Sequence, residues 1–184
     1  MSARDRSGSL PSLVVVCGPP GAGKSRLVEK LSLKIRLPVI AKDLIKETLM
    51  DHFGPGEPTG SAAFAVQLAV ADAMLMAGSG LILEGAFFRD QLDLRGLAIK
   101  ARTVVLYLHA PLECLVTRYT DRQRDRHPGH RGLEALPDLR RRVMDGVYEP
   151  ADVGLPVLRV ETENGYDPSE DAIVRWLAEH QVAS

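Results

Sequence analysis

The stretch 18-GPPGAGKS-25, set directly behind the apolar run 13-LVVVC-17, constrains this chain more than any other feature. It matches G-x-x-x-x-G-K-[ST] in full, between a strand pattern and a helix former, which is the context in which such a turn cradles phosphate. Gly21 and Gly23 leave room for backbone N–H groups to point inward. Lys24 reaches the β/γ-phosphates, Ser25 offers a hydroxyl to Mg²⁺, and the following helix adds a favourable dipole. The expected nucleotide site is therefore Gly18, Pro19, Pro20, Gly21, Ala22, Gly23, Lys24 and Ser25, with Arg26 next along the helix. No guanine-reading N-K-x-D occurs in the chain, so ATP with Mg²⁺ is the expected ligand pair.

A strand that leads into a phosphate loop needs a sheet around it. Short β-branched runs at 13–17, 38–41, 80–84, 103–108 and 156–160 alternate with amphipathic stretches at about 24–35, 43–52, 61–77, 111–126, 137–148 and 169–180. Near-continuous apolar strands separated by helices predict a three-layer α/β fold with a parallel sheet covered on both faces. Asp167-Pro168-Ser169-Glu170 reads as the opening of the last helix, with Asp167 as cap and Pro168 at the first helical position. The 184 residues fit one domain over 11–184, behind a loose polar tail at 1–10. A formal net charge of −1 argues against a general nucleic-acid coat or a polybasic membrane anchor. No apolar run reads as long enough to span a membrane. Cys17 and Cys114 lack metal-ligand spacing and read as reduced thiols of a cytoplasmic protein.

Two stretches fall outside a minimal sheet-and-helix plan. In 51-DHFGPGEPTGSAA-63, Gly and Pro are expected to suspend regular structure until a helix restarts, giving a substrate-side segment over 52–77. The second, a lid over 121–138, is Arg-rich: residues 118–142 hold eight arginines against four acids. Charge of that density suits closure over triphosphate, with one or two arginines stabilising the transferring group. Arg118, Arg122 and Arg126 are spaced to share one helix face, whereas Arg124 points elsewhere; about half of the segment's arginines are expected to pair with Asp121 and Asp125. His127 and His130 flank a Pro-Gly turn and read as substrate contacts or simple loop polarity.

Two carboxylates complete the pattern. Asp43 follows the second strand run by two residues, where neighbouring strand ends face one crevice, and is placed to accept the proton of an attacking hydroxyl. Glu84 closes 80-GLILE-84 and is suited either to holding Mg²⁺ through water or to orienting a substrate hydroxyl. Phe64, Gln67, Phe88 and Arg89 are candidates for the acceptor pocket wall, together with Phe87.

Together, the phosphate loop, 43-DLIK-46, 81-LILEG-85 and the Arg-rich lid resemble the small P-loop kinases, in particular the chloramphenicol phosphotransferase-like, polynucleotide-kinase-like and zeta-toxin-like members, over roughly 12 to 180. The resemblance implies a five-stranded sheet in the order 2-3-1-4-5, Asp43 as general base, and one of Arg122, Arg124 and Arg126 as the lid arginine. It also implies Lys46 as a substrate contact, and Asn164, Gly165 and Tyr166 beside the adenine. Lys46 stands where these kinases often use Arg, which weakens a bidentate grip on an acceptor phosphate. The implied activity is transfer of the γ-phosphate of ATP to a hydroxyl of a small molecule: an antibiotic, nucleoside or sugar-like compound. The alternatives are a polynucleotide 5′-hydroxyl kinase, a nucleotide-sugar kinase and a regulatory ATP-binding module.

Overall fold

The computed structural model describes residues 9–89 and 91–182. Most of the tail expected at 1–10 lies outside them. Five strands form one all-parallel sheet in the order β2-β3-β1-β4-β5, where β1 is Ser12–Cys17, β2 Val39–Ala41, β3 Leu81–Glu84, β4 Arg102–His109 and β5 Val157–Glu161. The fold class and strand order expected of a P-loop protein are both present.

Alternation along the strands builds the layers. In β1, Val14 and Val16 face one side, packing with Leu27 and Leu31 of α1 (Lys24–Ile35) and Ile173 and Leu177 of α7 (Glu170–Glu179). Leu13, Val15 and Cys17 face the other side, against Ala71 and Leu75 of α3 (Glu57–Met76) and Leu97 of α4 (Leu94–Lys100). Because β1 is covered on both faces, it reads as an unbroken apolar run.

Several element boundaries differ from the expectation. After α2 (Lys42–Phe53) the chain breaks only at 54–56, and α3 starts at Glu57 with Pro58 in its first turn, where a missing N–H costs nothing. Gly and Pro thus mark a helix boundary here rather than a thirteen-residue irregular segment. α3 is also apolar and long enough, by composition alone, to cross a membrane, contrary to the reading above. Here Ala63, Gln67, Ala71 and Leu75, four residues apart, are fully buried. α4 had no strong periodicity to announce it; Asp93 caps it by accepting from the Gly96 N–H.

The stretch expected as helix to 126 ends as α5 (Leu112–Asp121), followed by a 3₁₀ turn at Arg122–Arg124. Beyond it, α6 (Leu136–Met144) is shorter than expected. At the last helix, Ser169 is the cap, accepting from the Ala172 N–H. Asp167 lies two residues before that cap, its backbone exchanging two hydrogen bonds with Glu161 in an antiparallel bridge.

Candidate active site

The phosphate loop is held open by glycine backbone that other residues resist. Gly18 has φ +140°, and a Cβ there would stand 2.1 Å from the Leu108 carbonyl oxygen; Gly21 has φ +85° and would meet the Leu115 carbonyl at 2.8 Å. With no side chains in the way, β1 turns sharply into α1. Lys24 folds back over the loop, its Nζ donating to the Gly18 and Pro19 carbonyls at 3.0 Å each. An ammonium held by loop carbonyls, with no acid bonded to it among the described residues, is poised to exchange them for phosphate oxygens. This is the observation on which the loop fits a nucleotide.

The neighbouring strand ends gather the carboxylates. Register pairs Val16 with Glu84 and Ala41 with Glu84, so the end of β3 sits between the phosphate loop and the start of α2. Glu84 is buried, and burial pushes its carboxyl above the usual carboxylate range, partly opposed by Lys24. Burial likewise lowers Lys24, partly offset first by Glu84 and then by Asp43. Asp43 is exposed in the first turn of α2, whose cap position is Ala41. Cys17 is not a nucleophile here: burial raises its thiol to about 12.

One cleft of about 750 Å³ joins these groups. Its walls include Gly21, Gly23, Lys24, Ser25, Asp43, Lys46, Glu84, Arg122, Arg126, His127 and His130, all named from the sequence. Among the described residues no cluster of three or more His, Cys, Asp or Glu side chains is set to hold a metal. The donor set is instead the Ser25 hydroxyl and the Glu84 carboxylate on one cleft. That set fits Mg²⁺, which takes few protein ligands and completes its shell with phosphate and water.

The three candidate lid arginines separate. Arg122 lines the cleft, bears on both Lys24 and Glu84, and has no ion pair among the described residues. Arg126 lines it too, with its guanidinium 5.0 Å above the Tyr119 ring. Arg124 is exposed and does not line it. The expected pairing of lid arginines with Asp121 and Asp125 is replaced by pairs from Arg140 to Glu113 and from Arg131, Arg141 and Arg142 to Asp138. The Arg141 and Arg142 pairs are local to α6, three and four residues from Asp138, whereas Arg140 meets Glu113 because α6 folds back beside α5.

Arg118 and Tyr166 brace the loop. Arg118 donates to the Gly21 carbonyl at 3.4 Å, to Thr162 Oγ1 at 3.1 Å, and to the Thr162 and Glu163 carbonyls. Tyr166 donates its hydroxyl to the Gly23 carbonyl at 3.2 Å. These bonds bring 162–166 beside the nucleotide loop; Asn164 and Gly165 are exposed there, and Arg26 is exposed on α1 near Tyr166.

The acceptor-side wall is where sequence reasoning missed most. Gln67 is fully buried, its Nε2 donating to the Ile40 and Glu84 carbonyls at 2.8 Å, so it ties β2 to β3 rather than lining the cleft. Phe64 packs against Phe87 with the rings tilted by 57°, and Lys42 Nζ is 5.5 Å from the Phe64 ring. Phe88 packs on Tyr148 and under Arg142, and Arg89 pairs with Glu149 and the Gly146 carbonyl. Neither reaches the cleft; both edge a separate small pocket with Leu92 and Pro150. Glu47, Asp125 and Tyr119 line the cleft unannounced. Glu47 had one signal, its position a single helical turn beyond Asp43.

A family model described as AAA domain matches residues 13–145. No curated protein sequence matches the chain. Among solved structures, a protein of Chloroflexus aurantiacus provisionally named as a kinase is 29% identical, with a TM-score of 0.80, covering 94% of this chain and 99% of its own. A sugar kinase of Janibacter sp. is 16% identical (TM-score 0.63, covering 95% and 99%). A gluconokinase of Sinorhizobium meliloti is 18% identical (TM-score 0.61, covering 93% and 94%). The last two share the fold.

Proposed function

Because the chain belongs to the AAA domain family, matched over residues 13–145, we propose that its kinase-like P-loop domain is an ATP-dependent phosphotransferase with a small polar alcohol as acceptor. One observation carries the reading: Lys24 and Asp43 stand on the same cleft, phosphate loop on one wall and acceptor helix on the other. The relative from Chloroflexus aurantiacus, named provisionally as a kinase, supports the reaction class.

The acceptor hydroxyl donates its proton to the Asp43 carboxylate as its oxygen attacks the γ-phosphorus. The bond from that phosphorus to the β–γ bridging oxygen breaks, and its electron pair leaves with ADP. Lys24 and Arg122 meet charge on the transferring group. Bound Mg²⁺ supplies charge neutralisation across the β- and γ-phosphates; Ser25 and Glu84 are the residues that would hold it.

The acceptor side of the cleft carries Asp43, Lys46, Glu47, Asp125, His127 and His130. Phe64, Gln67 and Phe88, expected as its wall, do not line the cleft, and the charged groups that stand there beside Leu44 suit a hydroxyl-rich acceptor better than an apolar antibiotic. The two unpaired cysteines support a cytoplasmic setting.

The test is transfer of label from γ-labelled ATP with Mg²⁺ to a pool of sugars, sugar acids, nucleosides, antibiotics and a 5′-hydroxyl oligonucleotide. Label is expected on a sugar-like member, with Asp43→Asn lowering transfer at least about a hundredfold while nucleotide affinity holds. Equal slow release of phosphate by both proteins, with no labelled acceptor, sinks the assignment of Asp43.

A further inference from the structure

His127 and His130 entered as candidate substrate contacts, yet the structure gives each a partner on α2. His127 Nε2 lies 2.9 Å from Asp51 Oδ1, and His130 Nε2 lies 2.8 Å from Glu47 Oε1. Gly129 sits between them so close to Met50 that a Cβ would stand 2.6 Å from its Sδ. Glu47, Met50 and Asp51 share one face of α2, so the lid turn is docked on the helix that carries Asp43.

Hydrogen-bond chemistry fixes how His130 sits. An arginine side chain donates and never accepts. Arg126 Nη2 is 3.4 Å from His130 Nδ1, so that nitrogen accepts, and the ring proton lies on Nε2, donated to Glu47. A second proton on Nδ1 would set two donors face to face. Burial acts in the same direction, lowering the imidazole against the opposing pull of Glu47; Arg126 and Lys46 lower it further and Asp43 opposes. His130's side chain is only 4% exposed.

We propose that His130 is a positioning residue: a neutral imidazole that bridges Arg126 of the lid to Glu47 of the acceptor helix and so sets this second cleft arginine by the state of α2. This rests on the phosphotransferase reading for the nucleotide in the cleft that Arg126 lines and for the acceptor role of α2. The bridge itself stands on three side chains from two elements. Its consequence is coupling: Glu47, on the acceptor wall, acts on nucleotide affinity through His130.

Two measurements decide it. In ¹⁵N-histidine-labelled ligand-free protein at pH 7.5, the His130 resonances, assigned by their loss in His130→Gln, are expected to show Nε2 protonated and Nδ1 bare. Arg126→Lys should shift the Nδ1 signal and Glu47→Gln the Nε2 signal. A Nδ1-protonated or charged ring overturns the bridge. By calorimetry with ATP and Mg²⁺, Glu47→Ala and His130→Ala are each expected to weaken binding about threefold to tenfold, the double variant no more than either. His130→Gln, which keeps a donor and an acceptor, should recover most of the affinity. Additive losses, or no rescue by Gln, overturn the coupling. Wild-type protein that binds no ATP overturns the phosphotransferase reading and the coupling, while the histidine spectrum still decides the bridge.

Discussion

Glu84 is a carboxyl held away from water at the end of an apolar strand, and its position has a measurable cost. Burial raises its folded-state pKa above the ordinary 4.5, so across the interval above that value the folded protein holds this proton more tightly than the unfolded chain. The group's contribution to stability is fullest below 4.5 and declines as pH rises through the folded pKa. Glu84→Gln removes this dependence. The melting temperature of the wild type, relative to that of the variant, is therefore expected to fall as pH is raised from about 4.5 toward neutrality, in paired thermal melts. A constant difference would place the ionised carboxylate in full balance with Lys24. The sequence announced Glu84 by its place at a strand end. Its burial, and its company with Lys24 and Asp43, came from three strands meeting.

At the scale of elements, Gln67 explains how β2 and β3 end together. Its amide satisfies the carbonyls of Ile40 and Glu84 from the middle of α3, while its own Oε1 has no partner among the described residues. Gln67→Leu removes both side-chain bonds to these interior carbonyls and is expected to cost about 1–3 kcal/mol by denaturant unfolding. A neutral result would assign the tie no net worth. A glutamine on an apolar helix looks from sequence like a pocket residue, since a lone polar group there needs a purpose. Periodicity cannot tell a carbonyl partner from a substrate. The break at 54–56 teaches a related lesson: Gly-Pro-Gly reads as a long irregular stretch until the chain is seen to restart its helix at Glu57, with Pro58 in the first turn.

On the scale of the molecule, the cleft is bounded by α1, α2, the end of β3 and the lid, so a bound nucleotide touches elements far apart in sequence. ATP with Mg²⁺ at a hundred times its dissociation constant is expected to stabilise the fold by about 2.7 kcal/mol, a rise of roughly 5–10 °C in melting temperature. Lys24→Ala should abolish most of the shift; a shift that survives would put the ligand elsewhere. The sequence by itself determined the phosphate loop, the five strands and the parallel class, because these rest on local conformation and on alternation along single segments. Only the tertiary structure decided which arginine faces Lys24, which residues line the acceptor side, and that both lid histidines meet acids on α2. These are meetings between side chains far apart in sequence, 76 and 83 residues for the two histidine–acid pairs, set by how helices pack over a sheet, and no local pattern encodes them.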